Sequence, residues 1–335
     1  FFDFILYPYT NKFMKNIYLN IYKPNKSNLK KAKKNIENNN VIGIPTETVY
    51  GLAGSAYSNK SVKKIFILKK RPYYNPLIIH FKNLESLKKD ALINNSFLKL
   101  YKAFCPGPIT FILKKKPKSE ISYIATAKKN TVAVRFPKHK VARKLLRLLK
   151  VPLAAPSANI FAKLSPTSSI DVVDEFKNKI KFILDGGRSK IGLESTIVDL
   201  TGSPKILRTG FVTPQKISKI FKKKIRINKK IKEIKSPGQL KSHYSPGIPI
   251  KMNAKISRKG EAVIGFGSKF KSKKNHFNLS KNSNLNEAAN NLYKILRKIK
   301  NSGFKSIIVN KIPNTGVGIA INDRLKRASN KWQSK

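Results

Sequence analysis

"VIGIPTETVYGL", residues 41–52, joins a short apolar run to a polar segment that closes on glycine and leucine. Runs of about four to eight apolar residues bounded by turn residues are typical of buried strands. Two threonines, a glutamate and a tyrosine follow at once, so the stretch predicts a strand whose end presents polar side chains. Taken alone, this end fits an ordinary turn as well as a binding loop.

The same alternation of apolar and polar segments continues along the chain. Strand-like runs occur at 76–81, 109–113, 131–136, 151–155, 181–185, 195–200 and 205–208, and helix-like periodicity occurs at 61–70 and 139–150. Strands and helices in mixed order predict an α/β fold, with helices packed on a sheet. A length of 335 residues suits two domains.

The composition changes near residue 222, where "KKKIRINKKIKEIK" leads into "SPGQLKSHYSPGIP" with three prolines and two glycines. Such a stretch predicts a linker. Beyond it, strand-like 262–267, helix-like 285–300 and strand-like 305–310 predict a small βαβ unit. The predicted organisation is an extension at 1–13 with Met14 as a candidate start, a larger domain at 14–228, a linker or lid at 229–248, and a Rossmann-like α/β domain at 249–335.

The net charge of +55, from 71 Lys and Arg against 16 Asp and Glu, has two explanations. Clustered cations favour a polyanionic partner, because phosphates release counterions when they are neutralised. Only 11 of the 71 are arginine, and lysine rises together with Asn and Ile, as in "KKAKKNIENNN", which also fits compositional drift. Either way, such a field attracts nucleotides and tRNA.

Several classes of site are excluded by missing residues. The single cysteine, Cys105, excludes an intramolecular disulfide and a multi-thiolate metal centre. No Walker-type phosphate loop and no H-E-x-x-H zinc motif occurs. No run reaches the roughly 18 apolar residues of a membrane helix. The sequence therefore predicts a cytoplasmic protein with no membrane partner and no metal held by its own side chains.

Polar residues recur where predicted strands and helices end. Lys69 and Arg71 follow a helix in "KKRPYYNPLIIH", and Arg135 ends the strand "TVAVR". Arginine offers a fork for carboxylate or phosphate, and lysine a movable charge. Each residue also fits a solvated surface position, but their joint recurrence at strand ends favours a ligand site.

Two further segments repeat this arrangement. "APSAN" at 155–159 places small residues and uncharged hydrogen-bond donors after a strand, and "GLESTIVDL" at 192–200 places Glu, Ser and Thr before one. "SPT" at 165–167 resembles a helix N-cap whose free backbone N–H groups could hold an anion.

Taken together, these motifs resemble the YrdC family of threonylcarbamoyl-AMP synthases. The similarity lies in the order and spacing of "PTETVYGL", "KKRPYYNPLIIH", "PGPITFIL", "TVAVRFP", "APSAN", "SPT", "DGG" and "GLESTIVDL". "ILRTG", "SPGQLKSHYSP" and "GVGIAINDRLKRAS" resemble the longer, two-domain form, so the resemblance covers about residues 15–330. It implies a YrdC-like twisted, mixed open sheet with flanking helices.

The resemblance also implies an activity. L-Threonine, bicarbonate and ATP, with Mg²⁺, would give L-threonylcarbamoyl-AMP and pyrophosphate. A downstream threonylcarbamoyltransferase complex would use this product to modify tRNA beside the anticodon, and direct tRNA binding by this chain is left open. Such chemistry needs positioning and charge neutralisation rather than an enzyme nucleophile, in agreement with the absence of a Ser-His or Cys-His pattern.

Site residues follow from the resemblance motif by motif. The implied catalytic residues are Lys69, Arg71, Ser157 and Asn159. The implied ATP contacts are Arg71, Asn75, Thr131, Ser157, Ser165, Arg208 and the linker residue Tyr244, which would fold over the nucleotide. The implied threonine pocket comprises Thr46, Thr48, His80, Arg135, Ala155 and Ser195. Strand alternation places Thr46 and Thr48 on one side, and spacing to His80 favours Thr48.

Four positions depart from the family pattern. Cys105 replaces a common aromatic residue, Phe161 and Ala162 replace Ser-Gly, and Thr209 replaces proline. These departures affect loop geometry more than the reaction. Two alternatives remain. One is an RNA-binding module that uses the basic concave face of the same fold. The other is a carbamoyl-transfer domain related to hydrogenase maturation, and the lack of zinc-finger cysteines in the chain argues against it.

Overall fold

A computed structural model describes residues 17–228, 234–238, 242–253, 258–271 and 273–330. The predicted extension at 1–13 and residues 229–233 and 239–241 of the predicted linker lie outside the described residues. The described α-helices are α1 (Lys26–Glu37), α2 (Asn59–Lys69), α3 (Leu84–Leu87), α4 (Asn95–Phe104), α5 (Lys140–Leu148), α6 (Ser169–Phe176), α7 (Pro214–Phe221), α8 (Leu285–Asn301) and α9 (Gly318–Ser329).

Two sheets contain the described strands. The strands of the first sheet are β1 (Ile21–Tyr22), β2 (Ile42–Ile44), β3 (Gly51–Ser55), β4 (Ile78–His80), β5 (Ile109–Lys114), β6 (Thr131–Arg135), β7 (Leu153–Ala154), β8 (Ile183–Leu184), β9 (Thr196–Asp199) and β10 (Lys205–Arg208). The strands of the second are β11 (Ile250–Met252), β12 (Glu261–Gly265), β13 (His276–Asn278) and β14 (Ser306–Val309).

The first sheet is open and mixed, in the order β1-β8-β2-β3-β7-β4-β6-β5-β9-β10. Strand β4 runs parallel to β6, and β5 runs parallel to β9, whereas β5 and β6 are antiparallel. The opening stretch supplies β2 and β3, which pair antiparallel with Ile44 opposite Gly51. Residues 45–50 are therefore the loop that reverses the chain, as the polar segment predicts.

The two faces of this sheet are covered differently. On one face, α1 and α5 pack over β2, with Ile36 and Leu145 in the same apolar cluster as Ile42 and Ile44. The opposite face carries the main core, which includes Phe66 of α2 and Phe97 of α4. Leu52 faces this core and Ala53 the first cluster, as period-2 alternation requires.

Beyond α1 and α5, the first face carries a polar row. His80, Arg135 and Thr110 are directly opposite one another on β4, β6 and β5. Residues opposite one another on neighbouring strands share a face, so the three side chains lie side by side. Two residues earlier, Ile78 and Ala133 belong to a small apolar cluster on the same face. The row is thus a polar strip beside an apolar floor.

Local signals place the first cationic loop. Ser58 caps α2 by accepting a hydrogen bond from the Ser61 N–H. The helix ends at Lys70, whose φ of 50° lies in the left-handed region typical of a helix end. Pro72 cannot continue the helix. Arg71 and Asn75 therefore lie in a short loop before β4, and both side chains are buried.

The C-terminal residues form the second, fully parallel sheet, in the order β11-β14-β12-β13. Its β12–α8–β14 segment is the predicted βαβ unit. The predicted fold class, an α/β protein with a large mixed open sheet and a smaller parallel α/β domain, is confirmed.

Helix α8 also contacts the larger domain, because Asn290 Nδ2 donates to the carbonyls of Ser189 and Lys190 at 2.8 and 2.9 Å. Within the described ranges, no helix has both the length and the apolar character needed to cross a membrane.

Candidate active site

A cavity lies over the polar row, and residues of the larger domain and the linker line it. Its free space is about 520 Å³ when the open mouth is included. Ten of the predicted site residues line it: Thr46, Thr48, Arg71, His80, Arg135, Ala155, Ser157, Ser195, Arg208 and Tyr244. Residues from distant segments therefore converge on one cavity.

The loop after β2 carries two threonine hydroxyls that form different hydrogen bonds. Thr46 Oγ1 donates to the Val49 carbonyl at 2.5 Å and accepts from the Thr48 and Val49 N–H groups, so it closes the turn. Thr48 Oγ1 lies 2.9 Å from Thr46 Oγ1. Because the Thr46 proton is already used, Thr48 is the donor in this pair, and its own oxygen remains an acceptor for a ligand.

Glu47, between the threonines, forms a buried ion pair with Arg135. Arg135 Nη2 donates to Glu47 Oε1 at 2.7 Å, and the Lys138 N–H donates to Glu47 Oε2 at 3.0 Å. Arg135 Nε is buried with no partner in the described part of the chain. Buried polar groups are rarely left unpaired, so Arg135 retains a donor for an anionic ligand.

His80 lies next to Arg135 and is also incompletely paired. Its Nδ1 atom is buried without a partner among the described residues. Burial, and after it the charge of Arg135, lowers the pKa of His80 well below 6.5. At neutral pH the ring is uncharged and offers one donor and one acceptor.

Arg71 supplies positive charge to the cavity. Its Nε donates to the Asn75 carbonyl at 2.9 Å, and its Nη2 donates to Asn75 Oδ1 at 2.6 Å and to the Pro76 carbonyl at 2.9 Å. These bonds fix the guanidinium and leave Nη1 without a described partner. Burial, followed by the neighbouring Arg208, lowers the pKa of Arg71 to about 9, so it is protonated at neutral pH.

Lys69 is buried, not a solvated surface lysine. Its Nζ donates to the carbonyls of Ser157 at 2.5 Å and Asn159 at 2.6 Å. Burial, and next the charge of Arg71, lowers the pKa of Lys69 well below 10.5. Lys69 therefore connects the end of α2 to the "APSAN" loop and adds positive potential behind it.

The "APSAN" loop is braced by its own polar residues. Ser157 Oγ donates to Asn159 Oδ1 at 2.6 Å, and Asn159 Nδ2 donates to the Ile160 and Lys163 carbonyls. Ser157 faces the cavity, whereas Asn159 and Lys69 hold the loop from behind. Lys69, Ser157 and Asn159, three of the predicted catalytic residues, thus form one connected unit.

Ser195 and Arg208 extend the polar row across the sheet. The Ser195 hydroxyl is 2.7 Å from Thr110 Oγ1 and accepts from Arg208 Nη2 at 3.1 Å. Arg208 Nε donates to the Ser195 carbonyl at 3.0 Å. Both amino groups of Arg208 keep a further N–H. Arg71 and Arg208 therefore present an unneutralised pair of cations to the cavity.

Ser165 lies one layer behind the cavity wall. It donates to Glu194 Oε1 at 2.5 Å, and Glu194 itself lines the cavity. The expectation that 165–167 caps a helix with free N–H groups is wrong in position: Ser168 caps α6, and the Thr167 and Ser168 N–H groups donate to Asp171 Oδ2. An internal carboxylate thus occupies the place proposed for an anion.

The linker closes the cavity from above. Tyr244 is buried, has φ of 64°, and its hydroxyl has no partner in the described ranges. His243 packs on Tyr244 and, edge to face, on Phe161 at 5.7 Å. Burial lowers the pKa of His243 to about 3, so it is neutral. Phe161 also lies 5.8 Å from the Arg71 guanidinium.

Predicted residues that do not line the cavity have identifiable positions. Thr131 begins β6 and is four residues from Arg135, about 13 Å along the strand. Asn75, Asn159, Lys69 and Ser165 touch residues that line the cavity rather than lining it themselves. These four residues therefore hold the residues of the cavity wall in place. Thr131 is not among the residues that line the cavity.

Sequence reasoning missed several residues of the site. Glu47 and Glu194 carry one signal in the sequence, because acidic residues are scarce in this basic chain. Arg324 and Tyr293, from α9 and α8, both bind Glu194. Nothing in their local patterns connects them with residues more than 90 positions away.

Glu194 in the cavity wall and Glu47 beside it do not form a metal site. Glu47 binds Arg135, and Glu194 binds Arg324. Across the residues that the structure describes, no group of three or more His, Cys, Asp or Glu side chains could hold a metal ion.

Comparison with known protein families finds two matches, side by side along the chain. Residues 34–210 match the Sua5/YciO/YrdC family, described as telomere recombination. Residues 212–330 match the family described as threonylcarbamoyl-AMP synthase, C-terminal domain.

Similar proteins carry the same name. The threonylcarbamoyl-AMP synthase of Pyrococcus abyssi is 38% identical over 319 residues, covering 88% of this chain and 92% of that protein. The threonylcarbamoyl-AMP synthase of Bacillus subtilis is 33% identical over 315 residues, covering 88% and 90%. The crystal structure of P. abyssi Sua5 complexed with L-threonine matches with a TM-score of 0.84 and 35% identity, covering 92% of this chain and 96% of that one.

Proposed function

This chain belongs to the threonylcarbamoyl-AMP synthase family and is an enzyme of that kind, and we propose that its reaction takes place in the cavity described above. The reaction joins L-threonine, bicarbonate and ATP into L-threonylcarbamoyl-AMP and releases pyrophosphate. The observation that supports this location is the convergence of Thr48, His80 and Arg135 with Arg71 and Arg208 on one cavity. The first three residues suit an amino acid, and the two arginines suit a polyphosphate.

The chemistry requires no enzyme nucleophile. Bicarbonate takes up a proton and loses water to give CO₂, and the threonine amine adds to the carbon of this CO₂ and gives a carbamate after losing a proton, so the two proton transfers balance. A carbamate oxygen then forms a bond to the α-phosphorus of ATP, and the bond to the β-phosphate oxygen breaks, so that pyrophosphate leaves. The enzyme contributes orientation and charges that stabilise the transition state.

The threonine end is assigned to the polar row. Arg135 keeps a buried, unpaired Nε donor for the threonine carboxylate. Neutral His80 and the Thr48 hydroxyl oxygen provide acceptors for the amine or hydroxyl of the substrate. Ala155 and Ser195 complete this end of the cavity. Thr48 rather than Thr46 is proposed as the contact, because Thr46 is committed to the turn.

The ATP end is assigned to Arg71, Arg208 and Ser157, with Lys69 and Asn159 holding the loop from behind. The unneutralised guanidinium pair stabilises phosphate charge as it moves to the leaving pyrophosphate. Because Glu194 in the cavity wall and Glu47 beside it are both engaged by arginines, the described residues do not fit a protein-held Mg²⁺. We therefore assign the implied Mg²⁺ to the phosphates of the substrate, and no step depends on it.

The linker is assigned the part of a lid. Tyr244 and His243 are buried against the cavity, next to Arg208 and Arg71. Tyr244 holds a left-handed backbone conformation that is unusual for an aromatic residue. Such strain is found where surrounding structure imposes it. This supports a linker that folds over the nucleotide and keeps water out.

The product is a mixed anhydride that needs an acceptor. We assign the acceptor to tRNA, through a separate threonylcarbamoyltransferase complex, and accordingly place the enzyme in the cytoplasm. The net charge of +55 supports direct contact with tRNA. Such contact would weaken steeply with salt.

The test is pyrophosphate release from ATP with each substrate omitted in turn. Release should require both threonine and bicarbonate, and Arg71→Ala should reduce it by at least about 100-fold. Arg147→Ala, which changes an exposed arginine of α5, is the matched control and should leave the rate unchanged. Release that continues without threonine would contradict the proposal.

A further inference from the structure

The C-terminal domain reaches Glu194, in the wall of the cavity, through Arg324 and Tyr293. Helix α9 carries Arg324, which is only 1% exposed, and its Nε donates to Glu194 Oε2 at 2.8 Å. Its Nη2 donates to the Thr209 carbonyl and its Nη1 to Asp323 Oδ2, both at 2.9 Å. Each nitrogen has a protein partner and Arg324 is not among the residues that line the cavity, so Arg324 is not placed to bind a ligand itself.

Glu194 is the carboxylate that Arg324 restrains. It is buried, lines the cavity, and also accepts hydrogen bonds from Ser165 at 2.5 Å and from the Tyr293 hydroxyl of α8 at 3.0 Å. Burial alone would raise the pKa of Glu194, but the charges of Arg324 and Arg208 and the Ser165 hydroxyl outweigh it and lower the pKa to about 2. Glu194 is therefore ionised beside a cavity that receives phosphates.

A free carboxylate at this point would harm the site. Glu194 and Arg324 both lie close enough to Arg208 for their charges to act on its guanidinium. Without Arg324, the nearest strong cations for Glu194 would be those that face the cavity, and a buried carboxylate seeks such a partner. Pairing with Arg208 would remove a phosphate ligand, and staying unpaired would repel the phosphates.

The geometry points to Arg324 as a positioning residue for the nucleotide: it holds the Glu194 carboxylate away from Arg208, so that Arg208 stays available to ATP. The C-terminal domain thereby sets the ATP affinity of the larger domain without touching the nucleotide. The inference rests on the proposed function for the identity of the ligand.

The experiment measures KM for ATP and for threonine in four variants, together with the affinity of a nonhydrolysable ATP analogue by calorimetry. Arg324→Met should weaken analogue binding and raise KM for ATP by about tenfold or more, the change that 1.4 kcal/mol produces, with KM for threonine changed much less. Arg324→Lys should restore part of the loss.

The informative variant combines Arg324→Met with Glu194→Gln. Because the competing charge is then gone, the double variant should recover ATP affinity to within about threefold of the native enzyme. Removing the buried, unpaired charge of Glu194 also recovers stability. A role confined to stability therefore predicts that ATP affinity is lost only as far as a variant unfolds, whereas the inference predicts the loss in an Arg324→Met enzyme that keeps a native circular dichroism spectrum. Failure of the double variant to regain affinity, with a native circular dichroism spectrum, would overturn the inference.

A second control separates positioning from domain docking. Arg297 of α8 also joins the two domains, because its Nη2 donates to the Leu164 carbonyl at 2.8 Å, but it does not touch Glu194. Arg297→Met should therefore leave ATP affinity unchanged, and an equal loss in this variant would contradict the inference. The analogue measurement needs no turnover, so it decides the matter even if the proposed reaction were absent.

Discussion

Replacing Arg135 should damage both the fold and threonine binding, and the two effects can be separated. In Arg135→Met, Glu47 is left in the core with a side chain only 9% exposed and one remaining hydrogen bond, from the Lys138 N–H. Removing one partner of a buried ion pair typically costs about 3–5 kcal/mol. The free energy of unfolding should fall by about that amount, which chemical denaturation measures.

Adding Glu47→Gln should repair the fold but not the function. The amide keeps the shape of Glu47 without a buried charge, so the double variant should recover most of the lost stability. Threonine binding should stay weakened by about 2–4 kcal/mol in both variants, a 30- to 1,000-fold rise in KM, because the donor to its carboxylate is gone. KM for ATP should change little. A stable Arg135→Met protein with native threonine affinity would refute the reasoning on both counts.

Further predictions concern individual side chains. ATP phosphates favour the charged form of Lys69, whose pKa burial lowers well below 10.5 in the free enzyme. ATP binding should therefore take up protons at pH values between the free and the bound pKa of Lys69, where affinity should fall as pH rises. Calorimetry in buffers of different ionisation enthalpy measures this uptake; Lys69→Met should reduce it, with Arg71 contributing the remainder through its pKa of about 9, and an uptake equal to that of the native enzyme would contradict the assignment. Ala162→Gly should raise the free energy of unfolding by about 0.5–1 kcal/mol, because Ala162 has φ of 65°, whereas Ala142→Gly within α5 should lower it; a loss in Ala162→Gly would show that its conformation is not strained. Thr209→Val should stabilise by about 1 kcal/mol, because the buried Thr209 hydroxyl has no partner within the described residues; destabilisation would mean that the hydroxyl is paired.

Much of the fold could be predicted because its signals are local. Strands β4, β6 and β9 lie within the apolar runs that predict them, β5 extends one residue beyond its run, and α2 has the expected apolar spacing. The departures from the family pattern were also informative. Ala162 replaces the usual glycine at a left-handed position, and Thr209 replaces the usual proline with a hydroxyl that finds no described partner.

The site was predicted in outline, and its pairings were not. Glu47 and Arg135 are 88 positions apart, and Glu194 and Arg324 are 130 apart. Ion pairs at such separations are set by which strands and helices adjoin, and no local pattern encodes this. Each pairing changes the chemistry, because it decides which charges are neutralised and which remain for substrate. Thr131 shows the converse, since its matching motif does not bring it to the cavity.

The most direct measurement uses ¹³C-labelled bicarbonate with threonine and ATP and identifies the product by mass spectrometry. The account predicts a threonylcarbamoyl-AMP species that is heavier by one mass unit than the product made with unlabelled bicarbonate, formed in equal amount with pyrophosphate. The Arg71→Ala enzyme should form almost none of it. AMP or ADP appearing without any labelled adduct would contradict the claim that this cavity joins the three substrates.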